Sequence, residues 1–178
     1  MTDQPVESRR FHAPPVLRTA RLVCERFTIA HTEDLGVMDR DQAVQVWLFG
    51  KTYTPQETRA RAKRRVAYWK EWGAGDYLVR PAAGGGFVGF AGFFPSDRPG
   101  AIAIGYALRP EYWGRGYGTE LARELTRTAA GFGCAEIVAT VLPSNAASRS
   151  VLEKTGFVAA GPAHEGEETL LYRYAGSP

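Results

Sequence analysis

The chain has 178 residues, of which 44% are hydrophobic and 23% charged, and its formal net charge at pH 7 is +3. This length suits one domain that buries roughly 70% of its unfolded surface, and the composition argues against a disordered or fibrous protein. The three histidines show no metal-ligand spacing and no apolar run approaches the length of a membrane span, so we expect neither a metal site nor a membrane protein.

Much of the positive charge lies in one run, TRARAKRR (58–65). No aromatic residue interrupts this run, so we interpret it as a solvated helix face and expect no nucleic-acid partner. Cys24 and Cys134 form no CxxC motif, and no signal-like apolar stretch follows Met1. These features predict a cytoplasmic protein with reduced cysteines.

The chain begins with a polar segment broken by prolines, which predicts a flexible tail over residues 1–16 and a single domain over residues 17–176. Residues 21–27 alternate apolar and polar side chains, as a half-buried strand does. The stretch 31–49 is predicted to be one helix or two short ones.

A clear helix start follows at Thr54, because Thr54 and Glu57 form a capping box with Pro55 at the first helical position. The helix should run to about Trp72, where glycines end it. Its apolar stripe consists of Ala62, Val66 and Trp69.

The rest of the chain predicts a mixed sheet of the α/β (α+β) class. The predicted elements are strands at 77–81, 87–94 and 101–108, a helix at 119–131, a strand at 136–142, a helix at 146–155, a short strand at 157–160 and a closing strand at 169–174. The first three strands are joined by loops that suit antiparallel hairpins. A strand–helix–strand order implies that 101–108 and 136–142 run parallel.

The stretch YWGRGYGTEL (112–121) places Gly114, Gly116 and Gly118 directly before a predicted helix. The first turn of a helix has free backbone N–H groups and partial positive charge, so bare backbone there suits an anion such as a pyrophosphate. Arg115 can add a full positive charge. A similar glycine pattern, GGGFVG (84–89), leads into a strand instead of a helix and is interpreted as a hairpin turn.

From IGYALRPEYWGRGYGTELARELTRTA through VATVLPSNAASRSVLEKTGF (104–157), the chain resembles the GNAT superfamily of acetyl-CoA-dependent N-acetyltransferases, and within it the RimJ/RimL-type branch. A coarser similarity extends back through LRTARLVCERF (17–27). The resemblance implies the GNAT-like acyl-CoA N-acyltransferase fold, a central, mostly antiparallel sheet with two parallel central strands and flanking helices.

The resemblance also implies a binding site for acetyl-CoA as co-substrate, without a metal. The phosphate-loop motif falls on Trp113, Gly116 and Gly118, and the strand through Tyr106 is expected to pair with the pantetheine arm. The Asn-x-x-Ser helix start places Asn145 and Ser148 beside that arm. The implied coenzyme residues are Tyr106, Leu108, Trp113, Gly114, Arg115, Gly116, Tyr117, Gly118, Thr119, Asn145 and Ser148. The residues alone also allow a purely structural interpretation. Asn145 would then be only a helix N-cap, and Ser148 would be a serine in the first helical turn without a ligand.

Two positions depart from the superfamily pattern. Leu152 stands where many members have a tyrosine that protonates the leaving thiolate, so Ser148 becomes the candidate catalytic residue. Ala103 stands where a base-assisting glutamate is common, and no general base is evident. The glutamates at 165, 167 and 168 are interpreted as a solvated hairpin turn.

The predicted function is acetyl transfer from acetyl-CoA to a primary amine by direct attack in a ternary complex. The amine is a protein N-terminus, an amino acid or a small molecule, and the sequence leaves this choice and a homodimer open. Trp47, Phe49 and Tyr53 in residues 46–53 are candidates for a wall of the acceptor site, with ordinary core packing as the alternative. A non-catalytic acyl-CoA sensor is the alternative function.

Overall fold

A computed structural model describes residues 10–166 and 168–176. The strands are β1 (Val16–Arg18), β2 (Leu22–Arg26), β3 (Asp76–Pro81), β4 (Gly89–Pro95), β5 (Ala101–Leu108), β6 (Glu136–Val141), β7 (Phe157–Pro162) and β8 (Leu170–Tyr174). The helices are α1 (Thr32–Arg40), α2 (Gln42–Gln45), α3 (Pro55–Trp72), α4 (Tyr117–Ala130) and α5 (Ala146–Lys154). Short 3₁₀ turns precede α1 and α4.

The described strands form one sheet in the order β1-β2-β3-β4-β5-β6-β8-β7. Every neighbouring pair is antiparallel except β5 and β6, which are parallel. The mixed, mostly antiparallel sheet with a central parallel pair is therefore confirmed. The parallel pairing covers only Ala101–Ala103 against Glu136–Val138. Beyond these residues the two strands are not paired with each other, and the candidate site lies in the gap between them.

Helices cover both faces of the sheet, as the alternation of side chains in β3 shows. Tyr77 and Val79 belong to the larger core, which includes Leu121 and Leu125 of α4. Leu78, between them, belongs to a second core, which α1 and α3 complete with Leu35, Met38 and Ala62. A strand that is covered on both faces needs apolar side chains at consecutive positions. This explains the apolar run Tyr77–Leu78–Val79 in β3.

The long helix α3 forms as predicted. The hydroxyl of Thr54 accepts a hydrogen bond from the backbone N–H of Glu57, whose carboxylate accepts one from the backbone N–H of Thr54. Gly73 ends the helix in the left-handed conformation, with φ 68°. Ala62 and Trp69 of the predicted stripe are buried and Val66 packs against the second core.

The stretch 31–49 forms the two short helices α1 and α2, one of the two predicted arrangements, because Asp41 is extended and caps α2 with its side chain. Helix α4 and strand β1 differ from the prediction. Helix α4 begins at Tyr117, two residues earlier than expected, with Gly116 as its N-cap. Strand β1, which the sequence did not predict, pairs with β2.

The segment before β1 packs against the domain where the structure describes it. Phe11 is 7% exposed, its ring centre lies 5.3 Å from that of Phe132, and its N–H donates to the carbonyl of Trp72. Ala13 continues this contact through a hydrogen bond to the carbonyl of Gly73. The expected flexible tail includes these residues, and its first nine lie outside the described part of the chain.

None of the helices in the described ranges is long and apolar enough to cross a bilayer. The same residues contain no cluster of three or more histidine, cysteine or acidic side chains that could hold a metal ion.

Candidate active site

The candidate site lies where β5 and β6 separate. After Ala103 and Val138 the two strands diverge, and β6 goes on to pair with β8. From Ile104 to Leu108, β5 keeps its partner β4 on one edge, while no described strand pairs with its other edge. A cleft of about 1150 Å³ opens there and is lined by both strands, by the start of α4 and by α5.

The glycine loop before α4 adopts a conformation that only glycine takes easily. Gly114 and Gly116 have φ values of 71° and 78°, in the left-handed region. A Cβ on Gly114 would meet no heavy atom within 4 Å, so the backbone there is open to a ligand. The indole N–H of Trp113 donates to the carbonyl of Leu108 at 2.7 Å and fixes the loop to the end of β5.

Gly118 differs from the other two glycines of the loop. It lies inside the first turn of α4, and a Cβ there would be 3.4 Å from the Tyr106 ring and 3.5 Å from Val151. These are ordinary van der Waals distances, so a methyl group would fit at this position, whereas a larger side chain would meet β5 and α5.

Arg21, a residue that sequence reasoning missed, holds the glycine loop from the side of β2. Its backbone N–H and its Nε donate to the two carboxylate oxygens of Glu120 at 2.7 and 2.8 Å, and its Nη1 donates to the carbonyl of Arg115 at 3.0 Å. Burial opposes a charged Glu120, but hydrogen bonds from Thr19 and Arg21 lower the pKa of this carboxyl. The pair is 99 positions apart in sequence, so no local pattern could reveal it.

Ser148 and Tyr106 meet across the cleft. The side chain of Asn145 accepts from the Ser148 N–H at 3.0 Å, which makes Asn145 the N-cap of α5 and fixes the turn that carries Ser148. The Ser148 Oγ lies 3.2 Å from the Tyr106 Oη. Burial raises the pKa of Tyr106 to about 12, with the Ser148 hydrogen bond acting in the opposite direction, so the phenol stays protonated at neutral pH.

All the predicted coenzyme residues except Arg115 line the cleft. The Arg115 guanidinium instead lies 5.5 Å from the centre of the Tyr112 ring. Leu152, which stands where many superfamily members have the proton-donating tyrosine, is 1% exposed and packs in the larger core. Glu165 and Glu168 are exposed in the hairpin between β7 and β8, and the glutamate at 167 lies outside the described residues.

The other half of the cleft is formed by α1, α2 and the loop after α2. Trp47 and Phe49 line it with 37% and 58% exposure, which excludes ordinary core packing for these two side chains. Tyr53 does not line the cleft, but its ring centre lies 6.1 Å from that of Phe49. The expected aromatic wall therefore consists of two of its three members.

Two ion pairs between arginines of α3 and buried aspartates, all four of which line the cleft, correct the interpretation of the basic run. Nε of Arg61 is 3.1 Å from Oδ2 of Asp39, and Nη1 of Arg65 is 2.6 Å from Oδ1 of Asp76. Burial raises the pKa of Asp76, and the neighbouring Arg65 acts against this shift. The run 58–65 is thus only partly a solvated face, because helical spacing turns two of its arginines inward.

Comparisons with known proteins show the family of the chain. Residues 21–158 match the acetyltransferase (GNAT) domain family. The FsC-acetyl coenzyme A-N(2)-transacetylase of Aspergillus fumigatus is 30% identical over 160 residues, which are 81% of this chain and 65% of the relative. The chain thus spans just under two thirds of the length of this curated relative.

Solved structures share the fold. An acetyltransferase from Agrobacterium tumefaciens gives a TM-score of 0.80 at 24% identity. The match covers 93% of the present chain and 97% of the Agrobacterium chain. The structure of RimL, a ribosomal L7/L12 α-N-protein acetyltransferase in complex with coenzyme A, gives a TM-score of 0.76 at 19% identity. This match covers 89% of the present chain and 96% of the RimL chain. Because the family match spans more than half of the sequence, including the glycine loop and α5, the chain belongs to the GNAT acetyltransferase family.

Proposed function

We propose that the chain transfers the acetyl group of acetyl-CoA to a primary amine by direct attack within a ternary complex. The observation that carries the proposal is the gap between β5 and β6, which leads from an open glycine loop at the start of α4 to the Ser148 hydroxyl. Two relatives support the donor: the fungal one is an acetyl coenzyme A-N(2)-transacetylase, and the RimL structure contains coenzyme A.

In this proposal the coenzyme pyrophosphate binds the backbone N–H groups of Gly114 through Thr119. These groups have no intrahelical partner, and the helix dipole adds partial positive charge at this end of α4. The pantetheine arm then follows the free edge of β5 from Leu108 towards Ile104, where its amide groups can pair with the backbone. This path brings the thioester to the inner end of the cleft.

Ser148 supports the departing thiolate by donating a hydrogen bond. The protonated Tyr106 phenol has one hydrogen, and directing it at the Ser148 Oγ leaves the serine hydrogen free for the sulfur. Tyr106 is in this account a positioning residue. Leu152 has no acidic proton to donate to the thiolate. In this proposal the Ser148–Tyr106 pair takes over that role from the tyrosine found in many superfamily members.

Direct attack is favoured because neither cysteine suits a covalent intermediate. Cys24 and Cys134 are 1% and 4% exposed, and neither lines the cleft. Burial raises the pKa of Cys24 to about 12, with repulsion from Glu124 and Glu120 adding to the shift, so its nucleophilic thiolate is suppressed.

The amine must lose a proton before it attacks, and Ala103 supplies no base. At neutral pH, deprotonation costs about 4–5 kcal/mol for a lysine amine but only about 1 kcal/mol for an α-amine. We therefore infer that an α-amine or another amine of low pKa is the preferred acceptor. RimL, an α-N-protein acetyltransferase of the same fold, is compatible with this choice.

The test is the release of free thiol from acetyl-CoA, followed with a thiol reagent in the presence and absence of an amine panel. Amine-dependent release with an equal amount of acetylated amine is the expected result. Tight acetyl-CoA binding without release for any amine would instead support the non-catalytic sensor.

A further inference from the structure

Arg21, which directly precedes β2, contacts both the glycine loop and the first turn of α4 with one side chain. Its Nε donates to Glu120 at 2.8 Å, and its Nη1 donates to the backbone carbonyl of Arg115 at 3.0 Å. The guanidinium carbon lies 4.6 Å from the centre of the Tyr117 ring, and a Cβ on Gly116 would be 3.4 Å from Nη2. Arg21 is therefore packed against the backbone that the proposed function assigns to the pyrophosphate.

The contact with the Arg115 carbonyl fixes the direction of the next backbone N–H. A trans peptide is planar, and its C=O and N–H point in opposite directions. Because the carbonyl of Arg115 points towards Arg21, the N–H of Gly116 points away from it. This N–H donates to no atom of the described residues, and Gly116 lines the cleft whereas Arg21 does not. The orientation thus leaves the N–H available to a ligand on the cleft side of the loop.

Glycine makes this peptide easy to turn over. Gly116 has a φ of 78°, and glycine adopts positive and negative φ about equally readily. If the peptide between Arg115 and Gly116 rotated by half a turn, φ would become negative, which glycine also tolerates. The carbonyl oxygen would then take the place of the N–H and repel a phosphate. Only the observed orientation has the hydrogen bond from Arg21, so this bond stabilises the orientation that suits an anion.

Glu120 keeps the guanidinium in this position. Its carboxylate accepts from the Nε and the backbone N–H of Arg21 and from the hydroxyl of Thr19. The planar fork of Arg21 thus joins a carboxylate on α4 to a carbonyl in the glycine loop. A lysine has one charged nitrogen in place of this fork. We therefore expect that a positive charge alone does not replace Arg21.

We propose that Arg21 is a positioning residue of the coenzyme site, which holds the peptide between Arg115 and Gly116 so that its N–H faces the pyrophosphate. The proposal rests on the proposed use of acetyl-CoA and adds to that site a residue 94 positions from Arg115 in sequence. Arg21 acts through the loop, so it affects coenzyme binding and not the chemistry at Ser148. Arg115, which the sequence suggested as an added positive charge, lies beside the Tyr112 ring instead.

The first experiment measures the dissociation constant of coenzyme A by calorimetry. Arg21→Met removes the guanidinium, and we expect the constant to rise about tenfold, as it would if the competent orientation fell to about one molecule in ten. Arg21→Lys keeps the charge without the fork and should show most of this loss. Arg18→Met is the matched control, because the exposed Arg18 side chain in β1 makes no hydrogen bond or ion pair within the described residues. It should bind coenzyme A as the wild-type protein does.

The second experiment compares acetyl-CoA with S-acetylpantetheine, a donor without the pyrophosphate. The ratio of their kcat/KM values does not depend on how much of the enzyme is folded. In Arg21→Met this ratio should fall about tenfold, while kcat with saturating acetyl-CoA changes less than about twofold, because the loop affects binding and not the transition state. General damage to the fold would lower both donors together and leave the ratio unchanged. Acetyl-3′-dephospho-CoA should behave like acetyl-CoA, since it retains the pyrophosphate.

Three results would overturn the proposal: unchanged coenzyme A affinity in Arg21→Met, full affinity in Arg21→Lys, or a loss confined to the donor with a 3′-phosphate. A thermal melt reports whether each variant is folded. If Arg21→Met is unfolded, Arg21→Lys decides the matter, since its ammonium group still balances the charge of Glu120. Failure of the wild-type protein to acetylate any amine would refute the proposed function, whereas the calorimetric comparison would still test the role of Arg21.

Discussion

The Ser148–Tyr106 pair gives the sharpest prediction about the chemistry. Ser148→Ala removes a hydroxyl that donates to a developing thiolate, and hydrogen bonds to charged groups contribute about 1.5–3 kcal/mol. At about 1.4 kcal/mol per tenfold change, kcat should fall about 10- to 100-fold. The coenzyme KM should change much less, because the interaction forms mainly in the transition state.

Tyr106→Phe should lower kcat about three- to tenfold, since the Ser148 hydroxyl then loses its fixed direction while the ring still packs beside Gly118. The double variant should be no slower than Ser148→Ala, because Tyr106 acts only through the serine. Steady-state assays on all three provide the measurement, with Tyr68→Phe, in α3 and outside the cleft, as the control tyrosine. Equal turnover in Ser148→Ala, or fully additive losses in the double variant, would refute the reasoning.

Five further predictions concern the glycine loop, the start of α4, the core, the pH dependence of stability and the acceptor. Gly114→Ala should lower the unfolding free energy by about 1–2 kcal/mol, because a left-handed residue with a Cβ costs about that much, and should weaken coenzyme A binding by calorimetry, because the added Cβ would occupy the open space proposed for the pyrophosphate. Gly118→Val should lower the melting temperature clearly, since its side chain meets α5 and β5. Leu152→Ala should lose about 2–5 kcal/mol of unfolding free energy in urea titrations. Because the folded-state pKa of Glu120 is lowered, its contribution to stability is full above the ordinary value of 4.5 and is lost as the pH falls further; Glu120→Gln should show a flatter acid melting profile. Finally, log kcat/KM should rise with unit slope to the pKa of each acceptor, whereas one fixed inflection near pH 6–7 for all acceptors would reveal an enzyme base.

The fold could be predicted to a large extent because its signals are local. The capping box of α3, the hairpin loops and the strand–helix–strand order each act within a few residues, and all three agree with the structure. Helix α4 begins two residues before the predicted start, because Gly118 continues the alternating glycine pattern of the loop in sequence but lies in the first turn of the helix.

The candidate site also has features that the local sequence predicts and features that it does not. The glycine loop and the Asn145 cap follow from residue types at short spacing, so they could be found in the sequence. The Arg21–Glu120 contact and the Asp39–Arg61 pair join elements that are distant in the chain, and a charged run such as 58–65 gives no sign of which members turn inward. Tertiary packing decides these partners, and only the folded chain shows them.

The short parallel pairing of β5 and β6 also bears on aggregation. Beyond Ala103 and Val138, the strand edges that face the gap present backbone donors and acceptors that pair with no described strand, and such edges are templates for pairing with another chain. In the proposed complex, the pantetheine arm lies between these edges and caps both. We therefore expect the coenzyme-free protein to aggregate more readily on heating, and saturating coenzyme A to suppress turbidity beyond the effect of a raised melting temperature alone.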